Sequence, residues 1–155
     1  VSAFCDKYNH TRDECGEKGQ GTVIKTGNLK VLAIIDGDSL IGDQAKSADC
    51  IVLALHKKHR IVAIIELKSK VVYAEDVVRK IQETTNFLTG IMKELSFSPD
   101  KTSFYPIIFS KRIRSVESPQ FLKPANRVTF LGKKYFVARK RYDVPLSDII
   151  AVLST

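Results

Sequence analysis

The chain has few cysteines, no long apolar run and, in its last third, few acids. Three cysteines are an odd count in a chain of 155 residues, which is long enough to bury a core without covalent staples. That count argues against a disulfide scaffold and predicts thiols in a reducing, cytoplasmic compartment. Cys50, inside an apolar run, reads as a buried small hydrophobe. No apolar run approaches the ~20 residues of a membrane-spanning helix, so no membrane is expected as a partner. Val1-Ser2-Ala3-Phe4-Cys5-Asp6 lacks a basic stretch followed by an apolar one, and no secretory signal is expected. Repeats, low-complexity tracts and a clear interdomain linker are also missing. One domain over residues 1–155 is the expectation.

What the chain does have is uneven charge. The net charge is +8, but residues 1–95 carry 14 Lys/Arg against 13 Asp/Glu, while residues 96–155 carry 11 against 4. The excess is therefore +1 in the first part and +7 in the last. Such a basic third suits a polyanionic partner such as nucleic acid. Lys111, Arg112, Arg114, Lys133, Lys134, Arg139, Lys140 and Arg141 are the expected phosphate contacts, together with Lys123 and Arg127. Tyr135, Phe136 and Tyr142 lie among them, where some would stack on bases and others belong to a core. A solvated basic surface is the plainer alternative.

Apolar patterning predicts strands at 22–25, 30–36, 49–55, 60–68 and 104–109, and a helix over 75–95. Asp36-Gly37-Asp38-Ser39 reads as a loop. Residues 126–139 read as a hairpin turning at Gly132-Lys133, and a short helix runs from about Pro145 to Leu153. Residues 1–20 are polar, with helical turns as the weakest expectation.

Three charges interrupt the apolar strands. Glu66 and Lys68 stand on one face of a strand because alternate side chains share a side. With His56 to His59 as a loop, Leu55 pairs with Arg60, and counting outward sets Asp49 opposite Glu66. Two carboxylates and an ammonium then meet at one end of the hairpin, an arrangement that needs compensation. A divalent cation would supply it.

The order strand (30–36), strand with Asp49, strand with Glu66-x-Lys68, long helix and buried strand resembles the PD-(D/E)xK, or restriction-endonuclease-like, nuclease superfamily. The resemblance covers about residues 30–110, with Ala48 standing where the motif has proline. It implies an α/β fold with a mixed, restriction-endonuclease-like β-sheet core over about 22–110 flanked by helices; the alternation over 126–139 makes the rest, 111–155, a basic C-terminal β-hairpin extension. It also implies a metal-dependent nuclease, acting on DNA more than RNA, with a homodimer among its assemblies. Asp49, Glu66 and the Leu67 carbonyl would bind Mg²⁺ or Mn²⁺, which take oxygen ligands. Lys68 would assist the attacking water, Gln82 would face the site from the helix, and Glu17 or Glu14 would add an acid.

Rival readings remain at this stage. A module with the same fold could bind nucleic acid without cutting it. Asp36 and Asp38 at a strand end resemble the opening motif of haloacid-dehalogenase-type phosphatases or of PIN/NYN-type ribonucleases, but a plain turn is the favoured explanation. Cys5, His10 and Cys15 have a spacing that matches no common zinc site.

Overall fold

Two long apolar runs joined by two lysines form the centre of the protein. The computed structural model describes residues 11–12, 14–17, 22–68, 72–92, 98–113 and 117–154. In chain order the elements are β1 (Thr11–Arg12), β2 (Gly16–Glu17), β3 (Thr22–Val23), β4 (Lys30–Asp36), α1 (Gly37–Ile41), β5 (Cys50–His56), β6 (His59–Lys68) and α2 (Ala74–Ile91). They continue with β7 (Thr102–Ser110), α3 (Ser118–Phe121), β8 (Arg127–Phe130), β9 (Lys133–Phe136), β10 (Ala138–Arg141) and α4 (Leu146–Leu153).

The sheet has the order β1-β4-β5-β6-β7-β10. Its first three junctions are antiparallel and its last two parallel. Five strands carry it, since β1 contributes only two residues. The parallel step from β6 to β7 requires a crossover, and α2 supplies it. Val77, Val78, Ile81 and Leu88 recur at helical spacing and bury one stripe of α2 against Val62, Ile64, Ile51 and Leu53. The β8–β9 hairpin packs on the same side through Val128 and Phe130. Leu146, Ile149 and Ile150 of α4 cover the opposite face, over Val52, Ala63, Ile65 and Ile107. Both faces of the central strands are covered, which accounts for their unbroken apolar sequence.

Several expectations need correction. Around Glu14 the chain forms the short strands β1 and β2 instead of helical turns. Asp36-Gly37-Asp38-Ser39 leads into helix α1, with the Asp36 carboxylate capping Asp38 N–H at 3.1 Å. Residues 111–155 are no appendage: β10 completes the sheet by pairing in parallel with β7, and the hairpin turns at Leu131-Gly132. Cys50 is buried as expected, but it is bonded to Cys15 in a disulfide with a Cα–Cα distance of 6.2 Å. Unpaired thiols are thus overturned for these two residues. Cys5 and His10 lie outside the described residues, so the structure bears on only one member of that trio.

Candidate active site

The expected register is the one observed. Leu55 pairs with Arg60 and Cys50 with Ile65, so the next pair outward is Asp49 and Glu66. The loop is tighter than four residues, because His56 pairs with His59 and only Lys57 and Lys58 turn. Asp49 Oδ2 accepts the Leu67 N–H at 2.6 Å, which anchors the carboxylate at the end of β6. A strand residue turns its N–H and C=O to the same side. The Leu67 carbonyl therefore also faces the Asp49 edge.

Asp49 and the residues before it are held from behind by two other segments, helix α2 and the start of α1. Ala48 N–H donates to Thr84 Oγ1 of α2 at 2.8 Å, and Lys46 N–H donates to Glu83 Oε2 at 2.8 Å. Gly37 N–H donates to the Asp49 carbonyl at 3.1 Å. A side chain at Gly37 would collide with Ala48 O, its Cβ only 1.8 Å away. Ala48 in place of proline thus has a local reason: its N–H is in use.

Glu66 is the most unusual group, a carboxyl only 1% exposed. Burial first, and then the adjacent Asp49 carboxyl, push its pKa up to about 8, with Lys80 pulling the other way. Lys80 Nζ stands 3.1 Å from Glu66 Oε2, and Lys68 Nζ stands 4.0 Å from the same oxygen. Lys80 misses the alignment of a hydrogen bond and Lys68 its distance, and among the described residues Oε2 has no other partner. Lys80 is the residue that sequence reading missed. Burial opposes its charge, but Glu66 and Asp76 outweigh burial and hold its pKa above the ordinary value. Asp76 shows the converse: burial is outweighed by Lys80, Lys46 and Lys68, and its pKa is lowered.

Gln82 is not brought to this site. Its side chain accepts from Thr129 N–H at 2.7 Å and donates to Thr129 O at 2.9 Å, clasping strand β8. Glu14 is exposed, and the side chain of Glu17 is outside the described residues. Asp36 lies opposite Cys50, one residue out of step with Asp49 and Glu66, which puts it on the other face of the sheet. Asp38 Oδ1 accepts from the Ser47 hydroxyl. The carboxylates that meet are Asp49 and Glu66.

The basic residues divide. Ser110 pairs with both Lys68 and Arg141, so Lys111, Arg112 and Arg141 lie at the Glu66 end of the sheet. Lys133 instead lines a cavity of about 600 Å³ at the opposite end, with His59, Thr102 and Tyr135. Lys134 pairs with Thr129 in the hairpin and is exposed, and Lys140, opposite Phe109, is half-buried. Arg139 is no surface contact. Its side chain is 7% exposed and donates to Glu117 Oε1 at 2.9 Å, while Glu117 Oε2 accepts from Val72 N–H at 2.7 Å. Arg114 lies outside the described residues. Tyr135 packs edge-on to Phe104 and Tyr142 lies near Phe109, which makes both of them core aromatics, whereas Phe136 is half exposed.

Among the described residues no cluster of three or more His, Cys, Asp or Glu side chains forms a metal cage. Two carboxyls, Asp49 and Glu66 with its buried Oε2, and the Leu67 backbone carbonyl still form an all-oxygen donor set. That set suits a hard cation, which commonly keeps waters and takes one or two carboxylates. Compared with protein-family models, curated proteins and solved structures, the chain matches none. No helix among the described residues is long and apolar enough to cross a membrane.

Proposed function

We propose that the protein is a Mg²⁺- or Mn²⁺-dependent nuclease of the PD-(D/E)xK type, with a restriction-endonuclease-like core, acting on DNA more than RNA. The observation that carries this reading is the buried Glu66 carboxyl set beside Asp49 on one sheet face, with Lys68 and Lys80 on its free oxygen. Asp49, Glu66 and the Leu67 carbonyl would hold the ion. A bound divalent cation lowers the pKa of water and stabilises charge on a phosphoryl group. Lys68 projects from the sheet beside those carboxyls, where its ammonium can orient water or neutralise a phosphate oxygen. Lys111, Arg112 and Arg141 at the same end would hold the flanking phosphates. A homodimer belongs to the same proposal, as does a cytoplasmic site of action, against which the Cys15–Cys50 bond counts.

Incubation of plasmid, single-stranded DNA and RNA with the protein and Mn²⁺ tests the reading. Glu66→Ala and Lys68→Ala should each reduce cleavage by about two orders of magnitude or more, the scale of losing a positioned charge. Full activity in both variants would remove the assignment. Salt-sensitive binding without cleavage, unchanged in Asp49→Ala, would instead favour a non-catalytic module.

A further inference from the structure

Lys80 stands between two acids of different character. Its Nζ is 3.1 Å from Glu66 Oε2, in the sheet, and 3.7 Å from Asp76 Oδ2, one turn earlier on the same helix. Glu66 is buried, whereas the Asp76 side chain is 36% exposed. The other Asp76 oxygen faces Lys46 Nζ at 3.6 Å and Arg79 Nη2 at 3.7 Å. Asp76 Oδ2 is thus the acceptor turned toward Lys80. An acid four residues before a base on a helix is also the favourable order for such a pair.

An ionised Glu66 in the empty site needs a cation beside it. A buried carboxylate without a counter-charge is costly, and two adjacent carboxyls are worse. Lys80 provides that charge at the oxygen which has no aligned hydrogen bond. On the metal-nuclease reading above, a divalent ion bound by Asp49 and Glu66 would meet an ammonium already placed on Glu66. Like charges at that range repel strongly where water is scarce. The lysine has to leave, and an acceptor stands within a small swing of its side chain. Lys68 is differently placed, since it projects from β6 itself and its only ion pair within 4.0 Å among the described residues is with Glu66.

We infer that Lys80 is the resident counter-charge of the metal site: it competes with the divalent ion for Glu66 and passes to Asp76 when the ion binds. Lys68 then remains for the substrate. The two lysines have separate tasks, one in the empty site and one in the loaded site.

The test is the binding of Mn²⁺ alone, followed by EPR of the free ion under nitrogen at about pH 8. Wild type, Lys80→Gln, Asp76→Asn and the double variant form a cycle. Lys80→Gln should tighten binding about tenfold, and Asp76→Asn should weaken it about fivefold, the range typical of coupled charges. In the Lys80→Gln background, Asp76→Asn should have an effect of less than about twofold, because no lysine is left to receive. Lys80→Arg, which keeps the charge, should stay near wild type. Unchanged or weaker binding in Lys80→Gln overturns the competition. An Asp76→Asn effect that persists without Lys80 shows a through-space charge effect and overturns the transfer. Wild type that binds Mn²⁺ without these shifts sinks only this inference, whereas no binding in any of the proteins sinks the metal reading as well.

Discussion

Ala48 N–H donates to the hydroxyl of Thr84 at 2.8 Å, tying the residue before Asp49 to the centre of helix α2. The hydroxyl is itself anchored, donating to Lys80 O at 2.8 Å. Both residues are fully buried. Thr84→Val should leave the Ala48 N–H unsatisfied and cost about 1–3 kcal/mol. Ala48→Pro, which removes the N–H, should also destabilise. Urea unfolding of each variant checks this; a stabilised Ala48→Pro would contradict it.

The buried Glu66 should make the metal-free protein less stable as pH rises. An unfolded glutamate ionises near ~4.3, and below that pH both states are protonated and no cost arises. Between there and about 8 the unfolded chain has released a proton that the folded chain keeps, so stability falls. Above about 8 the whole cost is present. The slope can reach ~1.4 kcal/mol per pH unit. Glu66→Gln should flatten it, as seen by chelator-treated unfolding at pH 5 and pH 8. Identical slopes in the two proteins would refute the assignment.

The turn between β5 and β6 carries strain. Lys57 and Lys58 have φ of 49° and 69°, the left-handed region that a two-residue hairpin of type I′ requires. Replacing Lys57-Lys58 with Asn-Gly should stabilise the protein by roughly 0.5–1 kcal/mol. A higher Tm without loss of metal binding is the expected result.

Reduction of the disulfide should be costly. Cys15 and Cys50 are 35 residues apart, and closing such a loop is worth about 3–4 kcal/mol in the chain-entropy account. Because Cys50 adjoins Asp49, the reduced protein should also bind Mn²⁺ more weakly. Equal midpoints with and without dithiothreitol would contradict the first part.

Gln82→Ala should lower stability by about 1–2 kcal/mol through its two bonds to Thr129, with Mn²⁺ affinity unchanged. A loss of affinity would return Gln82 to the site.

The central strands were readable because burial on both faces leaves a plain apolar signature. The Asp49–Glu66 pairing was readable because a hairpin turn fixes every pair that follows it. Lys80 was hidden by the choice of Gln82. Two residues along a helix are about 200° apart, so facing one toward the sheet turns the other away. Periodicity marks both as polar positions on a stripe's margin, and only the docking angle decides between them. Ala138 to Arg141 read as basic surface, yet it is an edge strand whose second residue is neutralised by Glu117. No count of cysteines could reveal that one just before β2 meets one at the start of β5. The β8–β9 hairpin followed from alternation, but its attachment to α2 depends on an amide pointing at one backbone position.

Glu117 gives one oxygen to Val72 at the entrance of α2 and the other to Arg139 in β10. A single side chain thereby joins parts of the chain that are 45 and 22 positions away from it. Trimming the protein back to residues 30–110 would remove Glu117 and the last strand together. The helix that bears Thr84 and Lys80 would lose its lead-in clasp. Asp49 and Glu66 lie 17 positions apart, but the contacts that hold them in place reach from Gly37 to Arg139.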